Sequence, residues 1–196
     1  MTDVELACQC GEVRGRVEGL SSLMNNHLVC YCDDCQAFAD RLNARSQALD
    51  PYGGTEIMQV LPSQVTLSSG TEQLRCLRFS RKGATRWFTA CCSTPVANTA
   101  SAALPFAGVF AGFVNGVHPA DSATGESVLG PVRYRVQGQY AIDPPPDLKM
   151  DKAFPRLMMA RIATQMLLAR IAGRHKPTPF YDGNGKPVSA PEILNP

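Results

Sequence analysis

No stretch of this sequence approaches the roughly 20 consecutive apolar residues that a membrane-crossing helix needs. The most apolar segment is cut by Arg156, Arg161 and Arg170, so a transmembrane span is not expected. The opening residues, Met1 to Cys8, have neither the basic start nor the apolar run of a secretory signal. The expected compartment is therefore the reducing cytoplasm, where thiols stay free. Charge is scarce as well: 18% of the 196 residues are charged, for a net of +2. With no Arg/Lys-rich run interleaved with aromatics, a nucleic-acid partner is not expected. No internal repeat is visible. The 44% of hydrophobic residues is too high for a disordered chain and sufficient for the core of one domain with an appendage.

Cysteine is present in quantity: eight residues, most of them clustered. Cys30-Tyr-Cys32-Asp-Asp-Cys35 gathers three thiols in a C-x-C-x-x-C spacing. They cannot all pair with one another, but three thiolates can close around one borderline-soft cation such as zinc, leaving a fourth position for water or a substrate atom. Cys8-Gln-Cys10-Gly11 is a second short pair, and Gly11 permits the tight turn that brings both thiols onto one ion. Cys91 and Cys92 are adjacent, and neighbouring side chains on a strand point to opposite faces. Both can reach one ion only if a turn begins there, which Ser93-Thr94-Pro95 could supply; Cys92 is the ligand expected first. A vicinal disulfide between them is the redox alternative. Cys76 has no cysteine neighbour and is assigned to packing. His27 is a candidate fourth ligand or, more ordinarily, a polar residue at a strand edge. Asp33 and Asp34 could serve as general acid or base, or simply cap a helix.

The hydropathy pattern is mainly that of strands. Val13, Gly15 and Val17 alternate with Arg14, Arg16 and Glu18, and Leu28-Val29 leads a strand into Cys30. Residues 56–61, 64–69 and 73–80 are short β-rich runs divided by Pro62 and Gly70, read as antiparallel strands. Residues 104–117 form a central strand or two whose glycines allow close backbone approach. Residues 118–130 form a surface loop, and alternation resumes at 132–136. A short helix is expected from Asp33, with that residue as its N-cap. A long helix is expected over residues 152–173, stopped by Gly173. Six Lys/Arg residues and no acid lie between Lys152 and Lys176, against 12 basic and 14 acidic side chains in residues 1–150. This basic helix is expected to dock on the slightly acidic remainder, to engage a partner or a second copy, or to rest on an anionic membrane surface. Residues 176–196 read as an extended tail. The Pro144-Pro145-Pro146 triplet marks a boundary between a zinc-binding β domain, 1–146, and a basic C-terminal helix and tail, 147–196.

The order Cys8-Gln-Cys10-Gly, Cys30-Tyr-Cys32-Asp-Asp-Cys35-Gln and Trp-Phe-Thr-Ala-Cys-Cys92-Ser-Thr-Pro resembles the glutathione-dependent formaldehyde-activating enzyme (GFA)/CENP-V family over roughly residues 4–117. That family carries C-x-C-G, C-x-C-x-x-C and F-C-x-x-C-G-T-P in the same order. In the third motif Thr89 stands where the family has its first cysteine, and Ser93 where it has glycine. The resemblance implies a mainly β fold, a tent-like pair of twisted antiparallel sheets stapled by one or two zinc ions. It implies a structural zinc on Cys8, Cys10 and Cys92, with Cys91 as the compensating fourth ligand, and a substrate-side zinc on Cys30, Cys32 and Cys35. It also implies carbon–sulfur lyase activity on a thiol adduct such as a glutathione conjugate, for which Arg75, Arg78, Arg81, Lys82 and Arg86 are the available cations. The alternative is a zinc-stapled module without turnover whose basic helix engages a partner.

Overall fold

A computed structural model describes residues 2–21, 25–117 and 129–195. Most of the expected 118–130 loop lies outside these residues. The chain is mainly β, in two sheets. The small sheet has the order β1 (Thr2–Ala7), β2 (Arg14–Leu20), β5 (Val65–Ser69). The large sheet contains β3 (Asn26–Cys30), β4 (Thr55–Val60), β6 (Leu74–Ser80), β7 (Thr85–Thr89), β8 (Pro95–Thr99), β9 (Ala107–Phe110), β10 (Tyr134–Val136) and β11 (Glu192–Asn195). Its order is β10-β3-β4-β9-β8-β7-β6-β11. Helices α1 (Asp33–Arg41), α2 (Arg45–Ala48) and α3 (Arg156–Ile171), with short 3-10 turns between strands, complete the regular structure of the described residues.

The period-two pattern explains how the large sheet is buried on both faces. Met58, Cys76 and Val109 point into a core shared with Val4, Leu6 and Val17 of the small sheet. Their chain neighbours Ile57, Leu77 and Phe110 point the other way, into a second core formed with Phe38 of α1 and Met158 and Ile162 of α3. The three runs expected at 56–80 are all strands, but they do not pair with one another. β5 joins β2, β4 lies between β3 and β9, and β6 lies between β7 and β11. Two pairings are parallel rather than antiparallel, β10 with β3 and β11 with β6. Both bring in a distant segment of the chain, as parallel pairing requires a long connection.

The long helix begins four residues later than the pattern indicates. Pro155 is its N-cap residue, and a residue preceding proline is held away from helical geometry. It ends as expected, with Gly173 at φ +71° just beyond the C-cap Ala172. The tail is more than an extended appendage. Phe180 is fully buried with its ring centroid 5.3 Å from that of Trp87, and the Tyr181 and Thr99 hydroxyls hydrogen-bond at 2.8 Å. The last strand then edges the large sheet. No helix among the described residues is long and apolar enough to cross a membrane.

Candidate metal centre

Two turns meet at the first cysteine group. The Cys8–Val13 turn between β1 and β2 is closed by Cys8 N–H donating to the Val13 carbonyl at 2.9 Å and Gly11 N–H donating to that of Cys8 at 2.9 Å. Gly11 sits at φ +74°, the left-handed region that glycine enters without steric cost. The second turn follows β7. Ser93 N–H donates to the Thr89 carbonyl and Ser93 takes φ +56°, so the turn that two adjacent cysteines require does begin there. Gln9 N–H donates to Thr94 Oγ1 at 3.1 Å and ties the turns together. Cys8 Sγ is 3.5 Å from Cys10 Sγ and 3.8 Å from Cys91 Sγ, and Cys91 Sγ is 3.8 Å from Cys92 Sγ. All four sulfurs lie within 4.8 Å of one another, a group that could hold a metal ion.

The electrostatics of this group are uneven. Burial opposes ionisation of Cys92, but hydrogen bonds from the Thr89 and Thr94 hydroxyls and the Cys10 backbone outweigh it and bring its pKa down to about 6. Burial pushes the Cys8 and Cys91 thiols up instead. Thr89 also accepts the buried Thr94 N–H at 3.1 Å, so the residue standing at the expected cysteine position shapes the turn and faces the sulfur beside it.

The second group is local. Cys30 ends β3, Cys32 is the N-cap residue of α1, and Cys35 lies in its first turn. The N-cap is thus Cys32 rather than the expected Asp33, whose Oδ1 accepts the Asp34 N–H at 2.9 Å. The three sulfurs again lie within 4.8 Å of one another. Hydrogen bonds from Cys30 and Cys32 hold the Cys35 thiol well below its usual range despite burial, and the Arg86 guanidinium adds to the effect. The same bonds raise Cys30, and Cys32 settles at about 11, lowered by its bond with Cys30 but raised more by Cys35 and burial. Each group thus has one thiol held down, Cys92 and Cys35, beside others pushed up. Metal binding favours the thiolate form of its ligands.

Arg86 of β7 is the cation at this second group. It is buried, with Nη1 3.7 Å from Cys35 Sγ and 3.5 Å from Asn98 Oδ1, and Nη2 3.1 Å from Asp34 Oδ2. The Phe38 and Phe79 rings lie 5.8 and 5.4 Å from its guanidinium carbon. Burial alone would weaken its charge, but Cys35 and Asp34 raise its pKa. Arg75, Arg81 and Lys82 are exposed, and Arg78 donates to Thr85 Oγ1 instead. His27 is buried between β10 and β4, not at an edge, with Nε2 2.6 Å from Glu56 Oε1 and Nδ1 2.8 Å from the Gly130 carbonyl oxygen. It belongs to neither cysteine group among the described residues. Cys76 is buried apart from both groups, its Sγ donating to the Ser189 carbonyl at 3.2 Å.

The three-cysteine group opens into a cavity of about 350 Å³. Leu28, Ile57 and Gly108 of the large sheet line one side and Met158, Ile162 and Met166 of α3 the other, with Ala84, Phe154 and Met159 also contributing. Gln59, Asn98 and Arg86 are the polar members besides the cysteines. Sequence reasoning missed this wall. Docking of the helix was one of the outcomes the sequence offered, without the surface it would meet; its apolar residues, spread around most of the circumference, suggested burial on more than one side or a partner, yet Leu157, Leu167, Leu168 and Ile171 are exposed.

Among curated proteins none matches the chain. A crystal structure of a Rhodobacter sphaeroides protein is similar at 21% identity and a TM-score of 0.44, over 60% of this chain and 93% of that one. A family model described as a family of unknown function, DUF6151, matches residues 1–192. The chain belongs to the DUF6151 family.

Proposed function

We propose that this chain is a zinc protein of the GFA/CENP-V type, with a structural zinc on Cys8, Cys10, Cys91 and Cys92 and a substrate-side zinc on Cys30, Cys32 and Cys35. The observation that carries the reading is the contrast in donor number and surroundings: four sulfurs between two turns, three sulfurs facing a cavity. A tetrahedral zinc with Zn–S bonds of about 2.3 Å sets its sulfurs about 3.8 Å apart. The separations of 3.5, 3.8 and 3.8 Å in the four-cysteine group fit that figure. Motif order supports the family assignment, as does the positive φ of Ser93 where the family has glycine.

The chemistry that suits the second site is reversible cleavage of a thiol–aldehyde adduct. Zinc bound there would supply Lewis acidity and a place for a substrate sulfur. Arg86 offsets the negative charge of the thiolates, Asp34 and Asn98 fix the guanidinium, and the apolar walls offer contact to the hydrocarbon part of the adduct. In the cleavage direction the adduct hydroxyl gives its proton to solvent water, its electrons form the carbonyl, and the C–S bond breaks with its electron pair going to sulfur, which leaves as the thiolate. Among the described residues the cavity wall carries no histidine, carboxylate, lysine or tyrosine, so positioning and thiolate stabilisation would carry the reaction. That same lack favours the second reading, a zinc-stapled binding module without turnover.

Elemental analysis is expected to find two zinc ions per chain, and X-ray absorption an average of about 3.5 sulfurs per zinc, rising toward about 4 when a binding thiol fills the open position. Absence of any thiophilic metal, with every thiol freely titratable in protein purified without chelator, sinks the proposal. Two zincs without adduct turnover select the module.

A further inference from the structure

We propose that the cavity over Cys30, Cys32 and Cys35 takes a small, uncharged apolar thiol, or the aldehyde adduct of one, in preference to glutathione. The sulfur end of this inference rests on the zinc reading above; the apolar end rests on the cavity alone. Its volume, about 350 Å³, is near the lower end for small-molecule sites, which run from about 300 to 1,000 Å³. Leu28 and Ile57 face Met158, Ile162 and Met166 across it. Methionine is unbranched and polarizable, so this wall can adjust to flat or branched hydrocarbon groups. Gly108 keeps the sheet side clear, because a Cβ there would lie 2.9 Å from Ile57 Cγ2. Phe154 and Met159 on the lining are 43% and 48% exposed, apolar surface that a bound hydrocarbon would cover.

Glutathione brings two carboxylates and an ammonium group, and burying such charges without partners is strongly unfavourable. Among the described residues Arg86 is the one cationic side chain on the lining, and it is already engaged by Asp34 at 3.1 Å and set against Cys35 and Asn98. A substrate carboxylate would have to displace these contacts. The described residues of the lining include no carboxylate to meet the ammonium. Gln59 and Asn98 can orient one hydroxyl or carbonyl, which is what an adduct of an apolar thiol presents.

The test uses the full chain and three probes: phenylmethanethiol, glutathione and benzyl alcohol. Thiols are followed by the sulfur-to-metal charge-transfer band of the cobalt(II)-loaded protein, and all three probes by the methyl signals of 13C-methionine in the zinc form. Phenylmethanethiol is expected to bind about fifty-fold more tightly than glutathione, the effect of roughly 100 Å² of apolar surface removed from water. Benzyl alcohol, lacking sulfur, should still move the Met158 and Met166 methyl signals. Met159→Glu and Ala84→Glu, at exposed positions on separate segments, should each weaken both apolar probes at least tenfold. Two variants guard against one that fails to fold.

Glutathione binding as tightly as phenylmethanethiol overturns the inference while leaving the open zinc site standing. Methyl signals unmoved by benzyl alcohol and phenylmethanethiol also overturn it. If benzyl alcohol moves the methyl signals but no thiol alters the cobalt band, the apolar cavity stands and the thiol reading of the zinc site fails.

Discussion

The four-cysteine group joins turns far apart in the chain, with Cys8 and Cys91 separated by 83 positions, whereas the three-cysteine group lies within Cys30–Cys35. The first has a donor for every corner of a tetrahedron and its outer member, Cys10, is exposed. The second has three donors, with Cys30 and Cys35 buried, a guanidinium beside one sulfur and an apolar cavity on the open side. On the proposed zinc reading the same residue type would serve two ends: chain separation would make the first group a cross-link, and a missing donor beside the cavity would make the second a place for a ligand. Donor count and loop length, rather than residue type, would divide the roles.

The sharpest way to break this division is to remove enough donors from each group to open its loop. A cross-link closing a loop of about 80 residues constrains the unfolded chain by about 4.5 kcal/mol, and one closing five residues by about 2 kcal/mol. Replacing Cys8 and Cys10 together by serine is therefore expected to cost about 2.5 kcal/mol more than replacing Cys30 and Cys32 together in the metal-loaded protein. For a chain of this size that is a difference of about 5–10 °C in melting temperature. Calorimetry ranks the two directly, and equal melting temperatures or the reverse order would refute the assignment of the cross-link to the four-cysteine group.

A smaller effect should separate the groups electrostatically. Arg86→Met keeps much of the packing between Phe38 and Phe79 but removes the charge beside Cys35. A cation that stabilises metal-bound thiolate is typically worth 10–100-fold in metal affinity. Competition with a chelator should show one of the two bound zincs weakened by that factor and the other unchanged. Equal weakening of both would mean that Arg86 supports the fold rather than the second site.

Much of this arrangement was legible in the sequence because it is encoded over short distances. The spacing of Cys30, Cys32 and Cys35, the turn glycine after Cys10 and the alternation around Val13 and Val17 are local, and each appears in the structure where the pattern puts it. Arg86 could be named as one of five available cations but not chosen, since its place beside Cys35 depends on β7 crossing the large sheet to face α1. The tail gave less still. Phe180 and Tyr181 sit among prolines and glycines without periodicity, and their burial against Trp87 follows from packing that no local pattern records. The parallel pairing of β11 with β6 is non-local in the same way, a partner more than 100 residues distant. The N-cap differed by one residue because the carboxylate of Asp33 suits a cap as well as a first turn.

The smallest expected effect concerns Cys76, which belongs to neither group and so serves as the internal control for thiols that only pack. Burial pushes its pKa up from 9.0 to about 11, with Arg78 opposing weakly. Below pH 9 both the folded and unfolded chains keep the proton, and the stabilisation of the neutral buried thiol is fully present. Between pH 9 and 11 the unfolded chain releases the proton while the folded chain holds it, so stability falls as pH rises through this window. At pH 10 the loss is about 1.4 kcal/mol, or about 3–6 °C. Cys76→Ala should lower stability at pH 7 by removing a packed sulfur, yet flatten the alkaline limb by that amount. Melting temperatures of the two proteins measured from pH 8 to 10.5 would decide it. Parallel curves would show that the alkaline limb arises elsewhere, in the clustered cysteines or in Tyr31, whose pKa burial and Asp50 also raise.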